Sequence, residues 1–459
     1  MGELKAVVLA AGEGTRMKSA LPKVLHRLWG QPMLAYVTGA AREAGANRVC
    51  VVVGHGGEAV EAAFAEAGVT FAVQEPRRGT GHAVMQARAQ IEPADTVLVL
   101  YGDTPLLRGE TLRRLVEAHQ AAGNSATVVA AVMDDPTGYG RIVRDRAGGF
   151  AAIVEQKDAT EAQKAIRETN TGVYCFRGAD LLFALDRLTD NNAQHEYYLT
   201  DALGILRAAG RPVGVMPAAD AGEFAGVNDR VQLARAGAVM RQRLLEGLMQ
   251  SGVTVTDPSS TYVDAGVAVG RDTVLLPGTM LEGSTRIGEN CVIGPHSRLT
   301  DTTVADGVTF QTSTALEAQI GPDCVVGPYA YLRPHTVLER KVKVGDFVEI
   351  KNSRLGEGTK ANHLTYIGDA DVGCRVNFGC GTVVVNYDGV KKHRTTIGDD
   401  CFIGCNTNLV APVTVEDRAY TAAGSTITER VEAGSLAIAR AKQVNKAGWV
   451  KKNRESVEK

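Results

Sequence analysis

Short apolar runs rich in β-branched residues recur through the first half of the chain: Lys5–Ala10, Arg48–Val53, Thr70–Val73, Thr96–Tyr101 and Ala126–Val132. Helical patterns such as Met33–Ala44 and Glu58–Ala67 lie between them. Strands alternating with helices of this length predict a mostly parallel sheet covered on both faces. In such sheets the loops at the carboxyl ends of the strands hold the ligands. From Asn228 to Gln250 the period is helical, with Val231, Ala234, Ala238, Leu245, Leu248 and Met249 at three- and four-residue steps. Asn228 is a candidate N-cap and Gly252 a candidate stop. The segment reads as a helix connecting two domains, or as a surface helix of the first.

After Asp257 an aliphatic residue recurs every six positions: Val263, Val269, Leu275, Leu281, Ile287, Ile293 and Leu299. The period resumes at Ile320, Val326, Leu332, Leu338, Val344 and Ile350, and again at Ile397, Ile403, Leu409 and Val415. Six residues fit neither a helix face nor a hairpin meander. They mark a hexapeptide parallel β-helix, a prism whose aliphatics point inward from every side. Glycine often follows the aliphatic (Gly270, Gly288, Gly294, Gly321, Gly327, Gly345, Gly398, Gly404), which suggests a corner conformation that only glycine adopts freely. The slips at Val304–Ile320 and Val384–Ile397 predict insertions or loops projecting from the prism.

Composition narrows the class. The 459 residues suggest roughly three domains or two large ones. Fifty Lys plus Arg against 52 Asp plus Glu leave a net charge of −2, which points to neither nucleic acid nor a membrane surface. An anionic ligand must therefore be held by local cations. The eight cysteines contain no CxxC pair, so zinc ribbons and thioredoxin-type motifs are excluded. Scattered thiols fit a reducing compartment. With no signal peptide and no membrane-length apolar run, the expectation is a soluble cytoplasmic protein.

The stretch VVLAAGEGTRM (Val7–Met17) runs from a strand into two glycines and an arginine. A Walker A loop would close on Lys-Ser or Lys-Thr, and none is present. A dinucleotide fingerprint would place a third glycine where Met17 stands and an acid near Gly30–Tyr36, and both are missing. What remains is a loop whose N–H groups approach a nucleoside triphosphate, with Arg16 and Lys23 neutralising the phosphates. A tight turn also explains two glycines. VLVLYGD ends a strand on Asp103, where a carboxylate suits Mg²⁺ beside substrate phosphates. An aspartate before Pro105 also fits a turn.

These residues carry a resemblance. LAAGEGTRM, PKVL (Pro22–Leu25), GTGHA (Gly79–Ala83) and YGDTPLL resemble the sugar-1-phosphate nucleotidyltransferases. PTGYGRI, IVEQKDA, NTGVY and NNAQHEYYLTD narrow the match, and HLTYIGDA (His363–Ala370) and VNYDG (Val385–Gly389) extend it into the hexapeptide half. The chain resembles the bifunctional N-acetylglucosamine-1-phosphate uridyltransferase / glucosamine-1-phosphate acetyltransferase family over nearly its whole length. The resemblance implies an α/β fold: a Rossmann-like nucleotidyltransferase domain (1–227), a linker helix (228–250), and a left-handed parallel β-helix with a C-terminal tail (251–459). It implies acetyl transfer from acetyl-CoA to glucosamine-1-phosphate. Uridylyl transfer from UTP to N-acetylglucosamine-1-phosphate would follow, yielding UDP-N-acetylglucosamine, a peptidoglycan precursor. It also implies a homotrimer with active sites between subunits.

By the same resemblance Leu9, Ala10, Ala11 and Gly12 offer backbone to the nucleotide, and Arg16 and Lys23 stabilise the triphosphate as charge moves to the leaving group. Gln74, Gly79 and Thr80 read uracil. Tyr101 and Gly102 join the nucleotide and sugar positions. Asp103 and Asn228 hold Mg²⁺, although an asparagine opening a helix also serves as a cap. Gly140, Glu155 and Asn170 bind the amino sugar. In the second half His363 is the general base, an assignment nothing in its local composition makes. Arg333 and Lys351 bind the sugar phosphate. Their eighteen-residue spacing is three sides of six, so the period alone stacks them one turn apart, unless both are ordinary solvated cations. Tyr366 and Asn377 match further sugar positions. Cys380, Asn386, Tyr387, Cys405, Ala423 and Arg440 match acetyl-CoA positions, with Arg440 meeting the nucleotide's phosphates.

Two positions depart from the family. Cys380 stands where alanine is usual and Cys405 where serine is usual. A thiol donates a weaker hydrogen bond than a hydroxyl. Two rival readings differ in class: a single-activity nucleotidyltransferase with a non-catalytic β-helix, and a non-catalytic scaffold. His363, Asn386-Tyr387 and the stacked Arg333 and Lys351 speak against the first. Arg16, Lys23 and Asp103 together speak against the second.

Overall fold

The computed structural model describes residues 2–451 and 454, so the last part of the tail, 452–453 and 455–459, lies outside the described residues. The chain divides into two compact units, Met1–Arg241 and Gln242–Lys459, and the division falls within the helix Arg230–Gln250.

Eleven strands form among the described residues of the first unit: β1 Leu4–Leu9, β2 Arg27–Leu28, β3 Gln31–Pro32, β4 Arg48–Val53, β5 Thr70–Val73, β6 Thr96–Tyr101, β7 Ala126–Val132, β8 Arg141–Arg144, β9 Phe150–Val154, β10 Glu168–Arg177 and β11 Val213–Pro217. The main sheet runs β11-β7-β10-β6-β1-β4-β5, and β2 with β3 is a separate hairpin. β1, β4, β5 and β6 pair in parallel, as do β7 and β11. β10 is inserted antiparallel between β6 and β7, and β8 and β9 pair antiparallel beside it. The five runs read from the sequence are all strands; four of them are buried along most of their length, and β5, at the sheet edge, is partly exposed. On β1, Ala6 and Val8 enter one core with Leu34, Val37, Leu112 and Leu115. Val7 and Leu9 enter the other with Val84, Leu181 and Leu203. The antiparallel insertion was not read: NTGVY looks like any strand, and only its partners set its direction.

The helix Arg230–Gln250 begins one residue later than the pattern suggests. Its cap is Asp229, whose Oδ1 accepts from the Gln232 N–H at 2.8 Å. Asn228, the predicted cap, is thereby free to turn its side chain elsewhere. Leu245, Leu248 and Met249 of the helix belong to the second unit's core.

That second unit is a three-sided prism of parallel strands. Its sides are sheets of eleven, ten and nine strands among the described residues, a left-handed parallel β-helix. The six-spaced aliphatics form its interior: Leu275, Leu281, Ile293, Leu299, Leu332 and Ile350 are fully buried. The first slip in the period is not an insertion. Val304, Phe310, Ala315 and Ile320 stay inward and in register, and the prism uses shorter five-residue sides there. The second slip is a loop: residues 386–394 leave after Val385 and return at Thr395.

The glycines also have another cause than the one read from sequence. Of the eight, only Gly294 and Gly327 have positive φ. At Gly270 and Gly345 a Cβ would stand 2.6 and 2.0 Å from backbone atoms of the next coil, so close stacking excludes a side chain. The left-handed corners fall instead on residues such as Asp272, Asn290, Asp323 and Asp400.

Candidate active sites

The carboxyl ends of β1, β5 and β6 surround a cavity of about 340 Å³. Leu9, Ala10, Ala11, Gly12, Lys23, Gln74, Gly79, Thr80, Tyr101 and Asp103 line it, as do Arg77 and Val24. The strand ladder continues into these loops: Ala10 N–H donates to the Val52 carbonyl at 2.8 Å, and Gly102 N–H to the Leu9 carbonyl at 2.9 Å. A Cβ on Gly12 would meet no protein atom within 4 Å, so this backbone lies bare to a ligand.

Lys23 opens a short 3₁₀ turn, and its Nζ pairs with Asp103 Oδ2. The same Nζ donates to Asn228 Oδ1 at 3.2 Å. Two residues far apart in sequence thus aim oxygens at one cation. Hard oxygen donors of this kind suit a divalent cation that keeps water and phosphate as its remaining ligands. Val227 N–H donates to the Asp103 carbonyl at 2.9 Å, which ties the segment carrying Asn228 to the loop after β6.

Gln74 is buried, and its Nε2 donates to the Gly79 carbonyl at 2.9 Å and contacts His82 Nδ1 at 3.2 Å. Burial pushes the His82 imidazole down. The amide oxygen of Gln74 is left for a ligand. A Cβ on Gly79 would stand 2.7 Å from the Tyr197 carbonyl oxygen, and Thr80 Oγ1 accepts from the Leu199 N–H at 3.1 Å. The NNAQHEYYLTD segment therefore backs this side of the cavity.

Gly140, Glu155 and Asn170 do not line the cavity. They cluster beside it on β8–β10. Asn170 N–H donates to the Gly140 carbonyl at 2.9 Å, and a Cβ on Gly140 would lie 3.4 Å from the Glu155 carboxylate. Asn170 Nδ2 donates to Tyr174 Oη at 2.7 Å, so its side chain is committed to the protein. Burial pushes the Glu155 carboxyl up, with Asp158 and Asp201 adding to it, while Thr200 Oγ1 donates to it at 3.2 Å. Tyr101 connects cluster and cavity. Burial raises its phenol well above the usual range, and the charges of Glu155 and Asp103 act in the same direction. Gly172, at φ 80°, makes room for the ring, because a Cβ there would lie 2.2 Å from it. Arg16 is exposed in the turn Thr15–Met17 and makes no hydrogen bond or ion pair among the described residues.

On the prism the register stacks the predicted residues in columns. Asp346 pairs with His363 on the side formed by the eleven-stranded sheet, and Ala361, Phe378, Ile403 and Thr421 stack in sequence above Val344. Two residues past each lie His363, Cys380, Cys405 and Ala423, which therefore occupy one corner on successive coils. His363 Nδ1 lies 2.9 Å from Asp346 Oδ1. The His363 hydrogen bond is the main cause holding the Asp346 carboxyl below its usual range. With Nδ1 donating to this carboxylate, Nε2 keeps its lone pair.

A second corner, after the ten-stranded side, holds the cations. Leu332 pairs with Ile350, so Arg333 stands directly under Lys351, as the period predicts. Arg333 Nη1 donates to Glu349 Oε1 at 2.7 Å. Lys392 lies close enough to Lys351 to lower its ammonium. Asp369 faces them, accepting from Asn352 Nδ2 at 2.6 Å and from Asn386 Nδ2. Asn386 Nδ2 also reaches Tyr366 Oη at 3.4 Å. Tyr366 lies on the side between the two corners. Asn377 does not join this group: it sits on the outward face of the eleven-stranded side. Tyr387 is exposed in the 386–394 loop, with its Oη on the Gly389 carbonyl at 2.7 Å. Arg440 follows the last strand, Leu436–Ala437, and is exposed.

Sequence reasoning missed Arg77, Asp346, Asp369 and Lys392. Asp346 was findable from the period, seventeen residues before His363 at the same corner. Lys392 was not, because the loop breaks the register.

Fold and sites together define a nucleotidyltransferase unit joined to a hexapeptide-repeat transferase unit. Residues 6–195 match the MobA-like NTP transferase domain, and residues 266–301 and 394–429 match the bacterial transferase hexapeptide repeats. The chain is 52% identical over 450 residues to the bifunctional protein GlmU of Caldanaerobacter subterraneus subsp. tengcongensis, covering 98% of each chain. It is 51% identical to that of Brevibacillus brevis and 49% to that of Clostridioides difficile, again over 98% of each. The chain belongs to the bifunctional GlmU family. It is an enzyme with two activities, uridylyl transfer and acetyl transfer, on the route to UDP-N-acetylglucosamine. The match extends through the β-helix, so the single-activity reading is set aside. No helix among the described residues is long and apolar enough to cross a membrane.

Proposed function

We propose that the first unit carries uridylyl transfer at the 340 Å³ cavity and the second carries acetyl transfer at the two corners of the prism. The observation that supports the first assignment most is the convergence of Asp103 and Asn228 on Lys23, which lines the cavity together with Gly12 and Gln74. Leu9–Gly12 cradle the nucleotide and Gln74 with Gly79 reads uracil, its free amide oxygen accepting from the pyrimidine N–H. The N-acetylglucosamine-1-phosphate oxygen attacks the α-phosphorus of UTP, and pyrophosphate leaves. Both reactants are anions, so catalysis is charge neutralisation and in-line positioning. Lys23 and Arg16 meet the charge that moves to the leaving group. Asp103 and Asn228 would hold Mg²⁺, which supplies further charge neutralisation at the phosphates when bound. Gly140, Glu155 and Asn170 shape the amino-sugar end, and Tyr101 with Gly102 joins it to the nucleotide.

In the acetyl half, Arg333 and Lys351 take the phosphate of glucosamine-1-phosphate, with Lys392 beside them and Tyr366 under the sugar. The amine then faces the His363 corner. His363 Nε2 removes its proton as nitrogen attacks the thioester, and Asp346 stabilises the imidazolium. Cys380, Cys405 and Ala423 continue that corner as the acetyl-CoA groove, with Asn386 and Tyr387 at its edge and Arg440 on the phosphates. We place the protein in the cytoplasm, where both acyl and nucleotide donors are made. A homotrimer completes each acetyl site. It is supported by Asn377, set on a different side from Arg333 and Tyr366, and by the exposed rings of Phe402 and Tyr420 on that side.

Chelation tests the division. EDTA should stop pyrophosphate release while CoA release continues, and added Mg²⁺ should restore the first. Loss of both would contradict it. The thiol at the acetyl groove gives a second check. Cys405 is exposed, and direct transfer needs no thiol nucleophile. Cys405→Ser should keep or raise the acetyl-transfer rate, because a hydroxyl donates better. A loss of several orders of magnitude would mean a covalent thiol role.

A further inference from the structure

Arg77 lines the nucleotide cavity and pairs with Glu13 of the glycine loop. The pair joins two loops, the one after β1 and the one after β5. Lys23, the other cation lining the cavity, is already held by Asp103 and Asn228. Arg77 differs: Glu13 takes its Nη2, and no other hydrogen bond or ion pair engages it among the described residues. A guanidinium has five N–H donors in a flat fork that matches phosphate oxygens, so most of its capacity is unspent. The Glu13 carboxyl is held below its usual range by this hydrogen bond and charge, so it stays an anion at neutral pH. It is also half-exposed, and an anion at such a place is readily displaced by a more highly charged one.

We propose that Arg77 is a further nucleotide-binding residue, which leaves Glu13 to bind the β- and γ-phosphates of the incoming triphosphate. The inference rests on the reading of this cavity as the UTP site. Gln74 at the base end and Lys23 with Asp103 at the metal end place the α-phosphate between them. Glu13 lies on the phosphate loop, one residue past Gly12, so the guanidinium it holds stands at the phosphate end of the cavity. Glu13 is a stand-in: it keeps Arg77 extended over the mouth when the nucleotide is absent, and it competes with the nucleotide for the same donors.

Opposite signs from the two partners test this. Arg77→Gln should raise the KM for UTP about tenfold, as expected for a lost charge-assisted hydrogen bond, with kcat within a few-fold of the parent. Glu13→Gln should lower that KM, because it frees the guanidinium. In the reverse reaction Arg77→Gln should raise the KM for pyrophosphate and leave that for UDP-N-acetylglucosamine unchanged. Arg78→Gln removes the same charge from the next residue, whose side chain does not line the cavity, and should change the UTP KM less than twofold. If Glu13→Gln raises KM as Arg77→Gln does, the pair is a structural clip and the proposal is overturned. It is overturned equally if Arg77→Gln leaves the KM for UTP unchanged or if Arg78→Gln matches its effect. If the unsubstituted enzyme releases no pyrophosphate from UTP, the reading of the cavity itself has failed.

Discussion

Replacing His363 with alanine is expected to abolish CoA release and to leave pyrophosphate release from UTP and N-acetylglucosamine-1-phosphate at the parent rate. The argument is geometric. Only His363 in the stacked corner has a basic nitrogen, and its Nδ1 is anchored on Asp346 at 2.9 Å, which leaves Nε2 for the amine. General-base catalysis is worth about 10²–10⁴-fold, so the acetyl rate should fall by that range. Asp346 remains ionised below the usual carboxylate range because His363 stabilises its charge. Asp346→Asn should lower the rate without removing it, since the ring would lose its orienting anion. Separate thiol and pyrophosphate assays on each variant check this. A parallel fall in pyrophosphate release would mean that the two units do not act independently.

Asp103→Ala should have the converse effect. It removes one of the two oxygens aimed at the Lys23 ammonium and frees that cation from its anchor. Losing one preorganised electrostatic group at a phosphoryl-transfer site costs about 10²–10³-fold, and more where the same group holds the metal. Pyrophosphate release should fall at least that far, with CoA release unaltered. Mg²⁺ titration is the accompanying measurement: the variant should need far more metal for its residual rate. A variant that keeps the parent rate and metal requirement would remove Asp103 from the site.

The sequence carried much of this architecture because its periods are simple. Val7, Val8, Val97 and Val99 read as strand residues whichever face they serve, and the prism aliphatics keep their columns over many coils. What stayed hidden depended on partners. Nothing in Glu168–Arg177 says that it runs antiparallel between β6 and β7. Shortened sides at Val304–Ile320 look like a broken repeat in sequence, although the inward column continues through them. Asn228 looks like a cap until Asp229 is seen to do that work. Arg77 and Lys392 carry no motif, and Asp369 stands inside HLTYIGDA without a role that the stretch itself discloses; each matters through a neighbour distant in sequence, Glu13 for the first and Lys351 with Asn386 for the others. Arg333 and Lys351 were legible because they obey the repeat, and Lys392 was not because it leaves it.

The most direct measurement supplies glucosamine-1-phosphate, acetyl-CoA, UTP and Mg²⁺ together and follows free thiol and pyrophosphate separately. Thiol appearing first, with pyrophosphate following after a lag, is the predicted result and means that both activities are present and act in series. Absence of thiol, with pyrophosphate formed only when N-acetylglucosamine-1-phosphate is supplied directly, would contradict the account and leave the β-helix without its acetyl transfer.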